Sequence, residues 1–462
     1  MTEPSARVIA EKIVRVLQDH GHAAYFAGGC VRDALRGIEP KDYDVATDAR
    51  PSRLKEIFPG SHGVGAHFGV ILVSEAGHTV EIATFRSDGV YIDGRRPENV
   101  TFALAEEDAE RRDFTVNGIF YDPVADRIID YVDGRKDLEG GLLRAIGEPR
   151  KRFEEDHLRL MRAVRLATGL GFEIEPSTWD EIRAQAASIQ RISVERVRDE
   201  FTRILLDPNR MRGFDLLVDS GLMRFILPEI LELQGCKQPP EFHPEGDVFV
   251  HTRLMLSLLE GEVSLPLVLS VLLHDVGKPA TYTWDEEARR IRFNGHAELG
   301  AEMTTSILRR LKYPNDVIEA TVACVANHMR FMNVQEMRPS RLKRFMARET
   351  FDDELELHRI DCLGSNGMLD NYEYLREKQD EFANEPLIPP RLVTGADLIG
   401  RRWTPGPVFA NVLTEIQNLQ LDGTLTTREQ AIAWLDEHYP EPLNSANPRR
   451  DTGNSTPSTP EK

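Results

Sequence analysis

The chain has 462 residues, of which 41% are apolar and 29% are charged, and its formal net charge at pH 7 is −19. This length is too great for one hydrophobic core and predicts three or four folded units. The composition is typical of a soluble globular protein. The net charge argues against indiscriminate nucleic-acid binding, because most of the surface should repel phosphates.

The sequence lacks the features of membrane or secreted proteins. The longest apolar run, Leu265–Leu273, is interrupted by Pro266 and Ser270 and is too short for a bilayer. The first ten residues are polar and mixed in charge, unlike a signal peptide. Four scattered cysteines suit reduced thiols better than a disulfide framework: Cys30, Cys236, Cys324 and Cys362. These features predict a cytoplasmic protein without a membrane partner.

The first third of the chain mixes helix and strand signals. An amphipathic pattern predicts a helix around Val8–Leu17, followed by a short strand at Ala24–Ala27. Val70–Val73 and Thr79–Phe85 predict a hairpin. The polar segment Ser87–Val100 predicts a mobile loop.

From Leu138 onward the pattern is almost wholly helical. A break at Leu387–Pro390 separates a small last helical piece, and the final residues are polar enough to predict disorder. We expect four units and a tail: a head at 1–137, a helical neck at 138–225, a histidine-rich unit at 226–384, a small helical unit at 385–442 and a disordered tail at 443–462.

Two acids lie close behind a glycine pair near the start of the chain. If residues 43–45 are extended, Asp42 and Asp44 share one face of a strand. Two such carboxylates suit a pair of Mg²⁺ ions holding a nucleoside triphosphate. Gly28 and Gly29 would let backbone N–H groups approach phosphate oxygens, and the guanidinium group of Arg32 adds charged N–H donors. The alternative is a strand flanked by surface acids.

A third carboxylate lies on the second strand of the predicted hairpin. Strand alternation puts Glu81 on the face opposite Val80 and Ile82, so Glu81 can point into the same cleft. The alternative is that Glu81 simply lies on the solvent-exposed face of an edge strand.

Glu155–Arg159, with Arg162 and Arg165 behind it, predicts a helix that presents Asp156, Arg159 and Arg162 along one face. An acceptor beside a donor matches the Watson–Crick edges of cytosine and adenine. Uracil or guanine would leave buried groups unpaired, at about 1–3 kcal/mol each. The alternative is a set of ordinary surface ion pairs.

Histidines and aspartates recur between His251 and Asp361, with an adjoining pair at His274–Asp275, and this pattern resembles the HD phosphohydrolase superfamily. Imidazoles with carboxylates bind divalent metals, which activate water for phosphoester hydrolysis. The candidate ligands are His251, His274, Asp275 and Asp361, with His296 and His328 as further candidates. The same residues also suit a structural RNA-binding unit.

Gly28–Asp33 with Lys41–Asp44 resembles the DNA polymerase beta-type nucleotidyltransferases. Over about residues 5–440 the chain is most similar to the class II branch, which holds bacterial tRNA CCA-adding enzymes and poly(A) polymerases. The resemblance implies an α+β fold, in which a nucleotidyltransferase head of mixed sheet and helices is followed by an all-α body with an HD-type helical domain.

The resemblance also implies roles for individual residues. Glu110–Asn117 is similar to a second family signature, assigned there to ribose and phosphate contacts, and Asp133–Gly134 resembles a hinge. The implied catalytic residues are Asp42, Asp44 and Glu81, the first two holding two Mg²⁺ ions. The implied nucleotide-binding residues are Gly28, Gly29, Arg32, Arg112, Asp113, Asp156, Arg159, Arg162 and Arg165. The HD residues would hold a transition metal or Mg²⁺.

We therefore expect a template-independent nucleotidyltransferase that adds C and A to the tRNA 3′ end from CTP and ATP. Asp93–Arg96 matches an element that relatives use in switching from C to A. The alternatives are a poly(A) polymerase or A-adding enzyme, and a metal-dependent HD phosphohydrolase acting on nucleotides or RNA ends. A purely structural RNA-binding protein would leave both sets of acids unused.

Overall fold

A computed structural model describes residues 4–62, 69–88, 100–384 and 386–440. The chain divides into two compact units, Met1–Ala326 and Asn327–Lys462. Within the described ranges, every helix is too short or too polar to cross a bilayer. The finer division into four units and a tail stays a prediction.

The first unit begins with a mixed sheet, as the α+β prediction requires. Its strands are β1 (Ala24–Ala27), β2 (Asp44–Thr47), β3 (Val70–Glu75), β4 (His78–Thr84), β5 (Arg86–Asp88), β6 (Val100–Phe102), β7 (Phe120–Asp122) and β8 (Arg127–Ile129). Six form one sheet in the order β3-β4-β2-β1-β7-β8. Only β2 and β4 run parallel, and the other neighbours are antiparallel.

The predicted first strand and the β3–β4 hairpin are confirmed. The prediction of a loop over residues 87–100 is wrong at both ends, because Ser87 pairs with Thr101 and Asp88 with Val100 in a β5–β6 ladder. Antiparallel pairing satisfies backbone groups that a loop would leave to water. Asp93–Arg96 lies outside the described residues.

The helices around this sheet are α1 (Ala6–Asp19), α2 (Gly29–Leu35), α3 (Pro51–Ile57), α4 (Ala105–Glu110) and α5 (Gly134–Glu139). The apolar residues of α1 recur at helical spacing, so Ile9, Ile13 and Leu17 are buried on one face. This face packs against β1, β2 and β4. It therefore supports the strands that carry the candidate catalytic acids.

The rest of the first unit is helical, as predicted, apart from two short strand pairs. Its helices are α6 (Pro149–Glu155), α7 (Arg159–Leu170), α8 (Pro176–Gln185), α9 (Val194–Leu206), α10 (Arg210–Asp219), α11 (Met223–Ile226), α12 (Pro228–Leu231), α13 (Val248–Leu258), α14 (Leu265–Leu273), α15 (Lys278–Thr281), α16 (His296–Arg310) and α17 (Asn315–Asn327). The strand pairs are β9 (Leu142–Leu143) with β10 (Glu173–Ile174), and β11 (Thr283–Asp285) with β12 (Arg290–Arg292).

The second unit is helical throughout its described residues. A 3₁₀ segment at His328–Glu336 precedes α18 (Pro339–Met346), α19 (Phe351–Gly364), α20 (Asp370–Phe382), α21 (Gly395–Gly400), α22 (Pro407–Leu421) and α23 (Arg428–His438). One core cluster contains Phe331, Phe345 and Phe351, and another contains Leu398 and Trp403.

The predicted hinge at Asp133–Gly134 is tightly packed. Asp133 has a positive φ of 57° and precedes α5, whose first N–H groups, of Gly134 and Arg135, donate to the Asp130 carboxylate at 3.0 and 2.8 Å. A Cβ atom on Gly134 would lie 2.1 Å from the Thr115 carbonyl oxygen and 2.8 Å from Ile119. Only glycine therefore allows α5 to approach the 3₁₀ turn at residues 115–117.

We expect Gly134→Ala to destabilise the protein by about 1–3 kcal/mol or more, because a new methyl group would displace backbone atoms. The urea midpoint of the purified variant measures the effect. Gly400→Ala is the control, since a Cβ there meets nothing within 4 Å. Equal midpoints for Gly134→Ala and the wild type would contradict the packing argument.

Candidate active site and histidine cluster

The candidate catalytic acids lie opposite one another on two parallel strands. Asp44 is the first residue of β2 and pairs in register with Glu81 on β4. Register partners in neighbouring strands carry their side chains on the same face. Both residues line a cavity of about 280 Å³ together with Arg112. Glu81 therefore faces the cleft, as strand alternation predicts.

Asp42 lies in a bend just before β2, separated from Asp44 by one buried tyrosine. Tyr43 packs with its ring centroid 5.2 Å from that of Phe26. The negative charge of Asp42 contributes to raising the pKa of Asp44. The structure thus brings the charges of the two acids within reach of each other.

The electrostatics of the cavity favour a cation. Burial, followed by the charge of Glu81, raises the pKa of Asp44 to about 6, although Arg112 acts in the opposite direction. A carboxylate held among other carboxylates is stabilised by a bound positive ion. The donors are all oxygen atoms, which Mg²⁺ prefers, so the residues fit such an ion.

The glycine-rich motif approaches the same cavity. Gly28 has a φ of 76°, and a Cβ atom there would lie 3.2 Å from Nη1 of Arg112. Arg32 donates two hydrogen bonds to Asp33, at 2.8 and 3.0 Å, and one of 2.7 Å to Asn117. Arg32 is therefore already held by protein groups, and its contact with a phosphate stays a prediction.

Two cavity arginines are anchored by an acid that the sequence interpretation did not identify. Asp108 is 1% exposed and accepts hydrogen bonds from Arg111 and Arg112. Burial alone would raise the pKa of Asp108, but the two guanidinium groups lower it below its usual value. The spacing from Asp108 to these arginines, three and four residues along the chain, was the available signal.

Asp113 connects the second signature to the neck. Its carboxylate accepts from Nδ2 of Asn117 at 3.0 Å and from Nε of Arg162 at 2.8 Å. Burial would raise the pKa of Asp113, yet Arg162 and Asn117 hold it well below its usual range. Both carboxylate oxygens already have protein donors, so the predicted ribose contact remains untested.

The prediction that Asp156, Arg159 and Arg162 share one continuous helix is wrong. Helix α6 ends at Glu155, and Asp156 is extended, with φ −143° and ψ 104°. The Asp156 carboxylate accepts the Leu158 N–H at 3.0 Å, and α7 begins only at Arg159. Aspartate competes well for exposed N–H groups at helix starts, which explains the break.

Asp156 and Arg159, the pair predicted to recognise the base, are each bound to other groups of the protein. Asp156 pairs with Arg196 at 2.9 Å, whereas Arg159 pairs with Glu155 and donates to the carbonyls of Arg152 and Arg111. These bonds use three of the five guanidinium N–H groups of Arg159.

The arginine-rich stretch around the neck is largely compensated by acids. Glu200, which is 5% exposed, accepts from Arg165 at 2.5 Å. Further pairs follow the same rule: Arg135 with Glu139, Arg144 with Asp137, Arg150 with Glu154, and Lys151 with Glu148. Much of this positive charge is therefore paired with acids of the protein itself.

The first unit gathers four of the predicted metal ligands: His251, His274, Asp275 and His296. The rings of His251 and His274 are 5.5 Å apart, and Nε2 of His274 lies 3.1 Å from Asp275. Lys278 forms an ion pair of 2.7 Å with Asp275. His328 and Asp361 belong to the second unit, and their part in this cluster stays a prediction.

Two neighbours of this cluster were missed by the sequence interpretation. Glu245 accepts hydrogen bonds from His243 and His251, at 2.9 and 2.8 Å. Ligand atoms of these three residues all lie within 4.8 Å of one another, so they could hold a metal ion. The available signal was a histidine and an acid shortly before His251 in the chain.

Three family models match the chain in succession. The poly A polymerase head domain covers residues 24–144, the probable RNA and SrmB-binding site of polymerase A covers 171–233, and the HD domain covers 248–358. The CCA-adding enzyme of Lactobacillus johnsonii is 39% identical over 433 residues, which cover 93% of this chain and 96% of the relative.

Solved structures of CCA-adding enzymes resemble this chain as well. The Bacillus stearothermophilus CCA-adding enzyme in complex with CTP has a TM-score of 0.70 and 29% identity, covering 95% of this chain and 98% of the other. The Thermotoga maritima enzyme complexed with tRNA has a TM-score of 0.59 at 18% identity, covering 94% and 97%, and supports the fold alone. Since the likeness in sequence and fold extends over nearly the whole of both chains, this protein belongs to the family of CCA-adding enzymes.

Proposed function

We propose that this chain adds cytidine and adenosine to the 3′ end of tRNA from CTP and ATP, in the cytoplasm. The observation that carries the proposal is the cavity in which Asp44 and Glu81 lie in register, with Arg112 on its wall. Relatives named CCA-adding enzymes support this specificity over a poly(A) polymerase.

Asp42 and Asp44 would hold two Mg²⁺ ions, which when bound stabilise negative charge on the attacking and leaving oxygens. The RNA 3′-hydroxyl attacks the α-phosphorus, the new O–P bond forms, the α–β bridge breaks and pyrophosphate leaves. Glu81, which lines the same cavity, would accept the hydroxyl proton. Arg112, anchored by Asp108, would hold the triphosphate beside Gly28 and Gly29.

Base selection in this proposal depends on Asp156 and Arg159. The Asp156 carboxylate has spare acceptor positions for an amino group, and Arg159 has donors beyond the three in use. Arg162 and Arg165 on α7 would support these groups or bind phosphate, and the Arg162 side chain is 35% exposed. Cytosine and adenine would be favoured because each offers an amino donor beside a ring-nitrogen acceptor.

We also propose that the histidine cluster binds a divalent transition metal ion. The observation that favours it is the burial of His251, His274 and Asp275, each no more than 1% exposed, within one unit. Imidazole nitrogens suit such ions, and a bound ion would activate water for phosphoester hydrolysis.

The direct test supplies purified protein with Mg²⁺ and a tRNA lacking its 3′ CCA, adding labelled CTP and ATP separately and together. Products are sized at single-nucleotide resolution, with a tRNA that already ends in CCA as control. Three added nucleotides, dependent on both triphosphates, are expected. A long ladder from ATP alone would favour a poly(A) polymerase, and no extension would refute the proposal.

We expect Asp44→Asn to slow nucleotide addition by about 100-fold or more, which is the loss typical of removing a group that stabilises charge in the transition state. The reason is that an amide is a poor Mg²⁺ ligand. Product formation per minute measures the loss. Asp48→Asn is the matched control, since Asp48 follows the same strand and pairs with His22 outside the cavity. Equal losses in both variants would contradict the assignment.

We expect the Mg²⁺ requirement to rise as the pH falls below 6. The pKa of Asp44 is raised to about 6, so protons compete with the cation for its carboxylate as the pH falls through that value. The Mg²⁺ concentration for half-maximal activity should increase by up to about tenfold per pH unit below it. A constant requirement between pH 7 and 5 would show that Asp44 does not bind the ion.

We expect Asp156→Asn to relax base selection. Asparagine keeps one acceptor oxygen for Leu158 but loses the ion pair with Arg196, and its amide N–H₂ group can donate, which suits uracil. Discrimination against UTP, measured as a ratio of kcat/KM values, should fall by about 1–3 kcal/mol, or roughly 5- to 150-fold. Asp180→Asn, an exposed change on α8, is the control. Unchanged ratios would remove Asp156 from base recognition.

A further inference from the structure

A second cavity in the first unit lies behind the strands that carry the candidate catalytic acids. Its volume is about 520 Å³, which is within the range of small-molecule sites. Phe26 and Tyr43 line this cavity, whereas their chain neighbours Ala27 and Asp44 line the candidate active site. Successive residues of a strand point to opposite faces of its sheet. We therefore call this space the rear cavity.

The inner wall of the rear cavity is aromatic and apolar. The ring centroid of Phe26 lies 5.2 Å from that of Tyr43 and 6.3 Å from that of Tyr121, and both pairs are tilted. Helix α2 contributes Cys30 and Leu35. Leu35 is 38% exposed although it lines a cavity, so a bound apolar group would cover it. Such a wall favours a flat ring, which packs well against other rings.

The mouth of the rear cavity is positively charged. Arg7, Arg127 and Arg135 all line the cavity, and all three are exposed. Arg7 pairs with Glu11 at 2.8 Å and Arg135 with Glu139 at 2.9 Å, but neither acid lines the cavity. Exposed pairs of this kind contribute little to stability, so an anion can replace the acid. Arg127 has no ion pair with any described residue.

The acid at this mouth is already engaged. Asp126 lines the cavity and accepts a hydrogen bond of 2.7 Å from the hydroxyl group of Tyr121. Three guanidinium groups thus surround the opening with one carboxylate among them. Guanidinium groups bind phosphate and carboxylate through charge-assisted hydrogen bonds. The charge at the mouth therefore favours an anion, while the wall favours a ring.

The walls of the rear cavity are continuous with the candidate active site. Sγ of Cys30 lies 3.9 Å from the carbonyl oxygen of Asp44. Tyr43 is the residue between Asp42 and Asp44, and α2 begins at Gly29 of the glycine-rich motif. A molecule in the rear cavity would therefore contact the same segments that carry the candidate catalytic and phosphate-binding groups.

We propose that the rear cavity binds a small aromatic anion, and that this molecule changes the affinity of the transferase site for its nucleoside triphosphate. The ring would pack against Phe26, Tyr43 and Leu35, and its phosphate or carboxylate would accept from Arg127 and the neighbouring arginines. A nucleoside monophosphate and an aromatic carboxylate share this chemistry. The binding site is independent of the proposed function, whereas its effect on the triphosphate rests on it.

The binding test titrates the full-length protein, without Mg²⁺, with the fluorescent aromatic anion 2-naphthoate. We expect a Kd of about 1 mM or lower. 2-Naphthylmethanol has the ring without the charge, and acetate has the charge without the ring. Each should bind about tenfold more weakly or worse. No binding of 2-naphthoate, or equal binding of 2-naphthylmethanol, would overturn the proposal.

Two variants locate the bound molecule. Leu35→Gln and Arg127→Gln should each weaken 2-naphthoate binding by about fivefold or more, because each removes one half of the recognition. Leu206→Gln is the control for the first, since Leu206 ends α9 as Leu35 ends α2.

Arg15→Gln is the control for the second variant. Like Arg127, Arg15 is exposed and has no ion pair with any described residue, but it does not line the cavity. If Leu35→Gln fails to fold, Arg127→Gln decides the result. Wild-type affinity in both cavity variants would show that 2-naphthoate binds elsewhere, which would overturn the proposal.

Competition distinguishes the two sources of the ligand. AMP and CMP are added to the protein with bound 2-naphthoate, again without Mg²⁺. Displacement by either would assign the rear cavity to a nucleoside monophosphate. Retention of 2-naphthoate would assign the rear cavity to an aromatic carboxylate.

The effect on catalysis is measured with Mg²⁺ and a tRNA lacking its 3′ CCA. Saturating 2-naphthoate should change the CTP concentration for half-maximal addition by about fivefold or more in the wild type, and much less in Arg127→Gln. Binding without this change would overturn the second part of the proposal. Absence of nucleotide addition without the probe would instead refute the transferase assignment, and would leave the binding result intact.

Discussion

The carboxylate of Asp113 connects three separate stretches of the first unit. Asn117 donates to it and in turn accepts from Arg32 of the glycine-rich motif, and Arg162 donates to it from α7. Removing one of these donors leaves the buried Asp113 carboxylate short of a hydrogen-bond partner, at about 1–3 kcal/mol. One buried anion therefore connects the glycine-rich motif, through Asn117, with the neck helix α7.

The cavity itself is a region of opposed charges. The parallel pairing of β2 and β4 puts Asp44 beside Glu81, and their repulsion, added to burial, weakens ionisation of Asp44. Arg112 only partly offsets it, because Asp108 also engages this guanidinium. A bound divalent cation would stabilise this arrangement of like charges. Such concentration of like charge is characteristic of functional sites rather than of structural ion pairs.

Charge compensation elsewhere explains how an acidic protein accommodates an arginine-rich neck. Most of these arginines pair with acids nearby in sequence or space, so much of their positive charge is neutralised within the protein. The histidine cluster follows a related rule, because Glu245 and Asp275 hold its imidazoles in place. In both regions the acids determine which side-chain atoms remain available to a ligand.

Local sequence pattern determined the early strand, the hairpin, the helical body and the facing of Glu81, because alternation and helical spacing are properties of neighbouring residues. Tertiary structure decided the pairings that cross long stretches of chain. The break at Asp156, the pair of Asp156 with Arg196 and the anchoring of Asp113 by Arg162 each depend on groups brought together only by folding. Side-chain partners separated by many residues leave no periodic signal, so the sequence singled out Asp113, Asp156 and Arg162 but neither Arg196 nor the contacts among them.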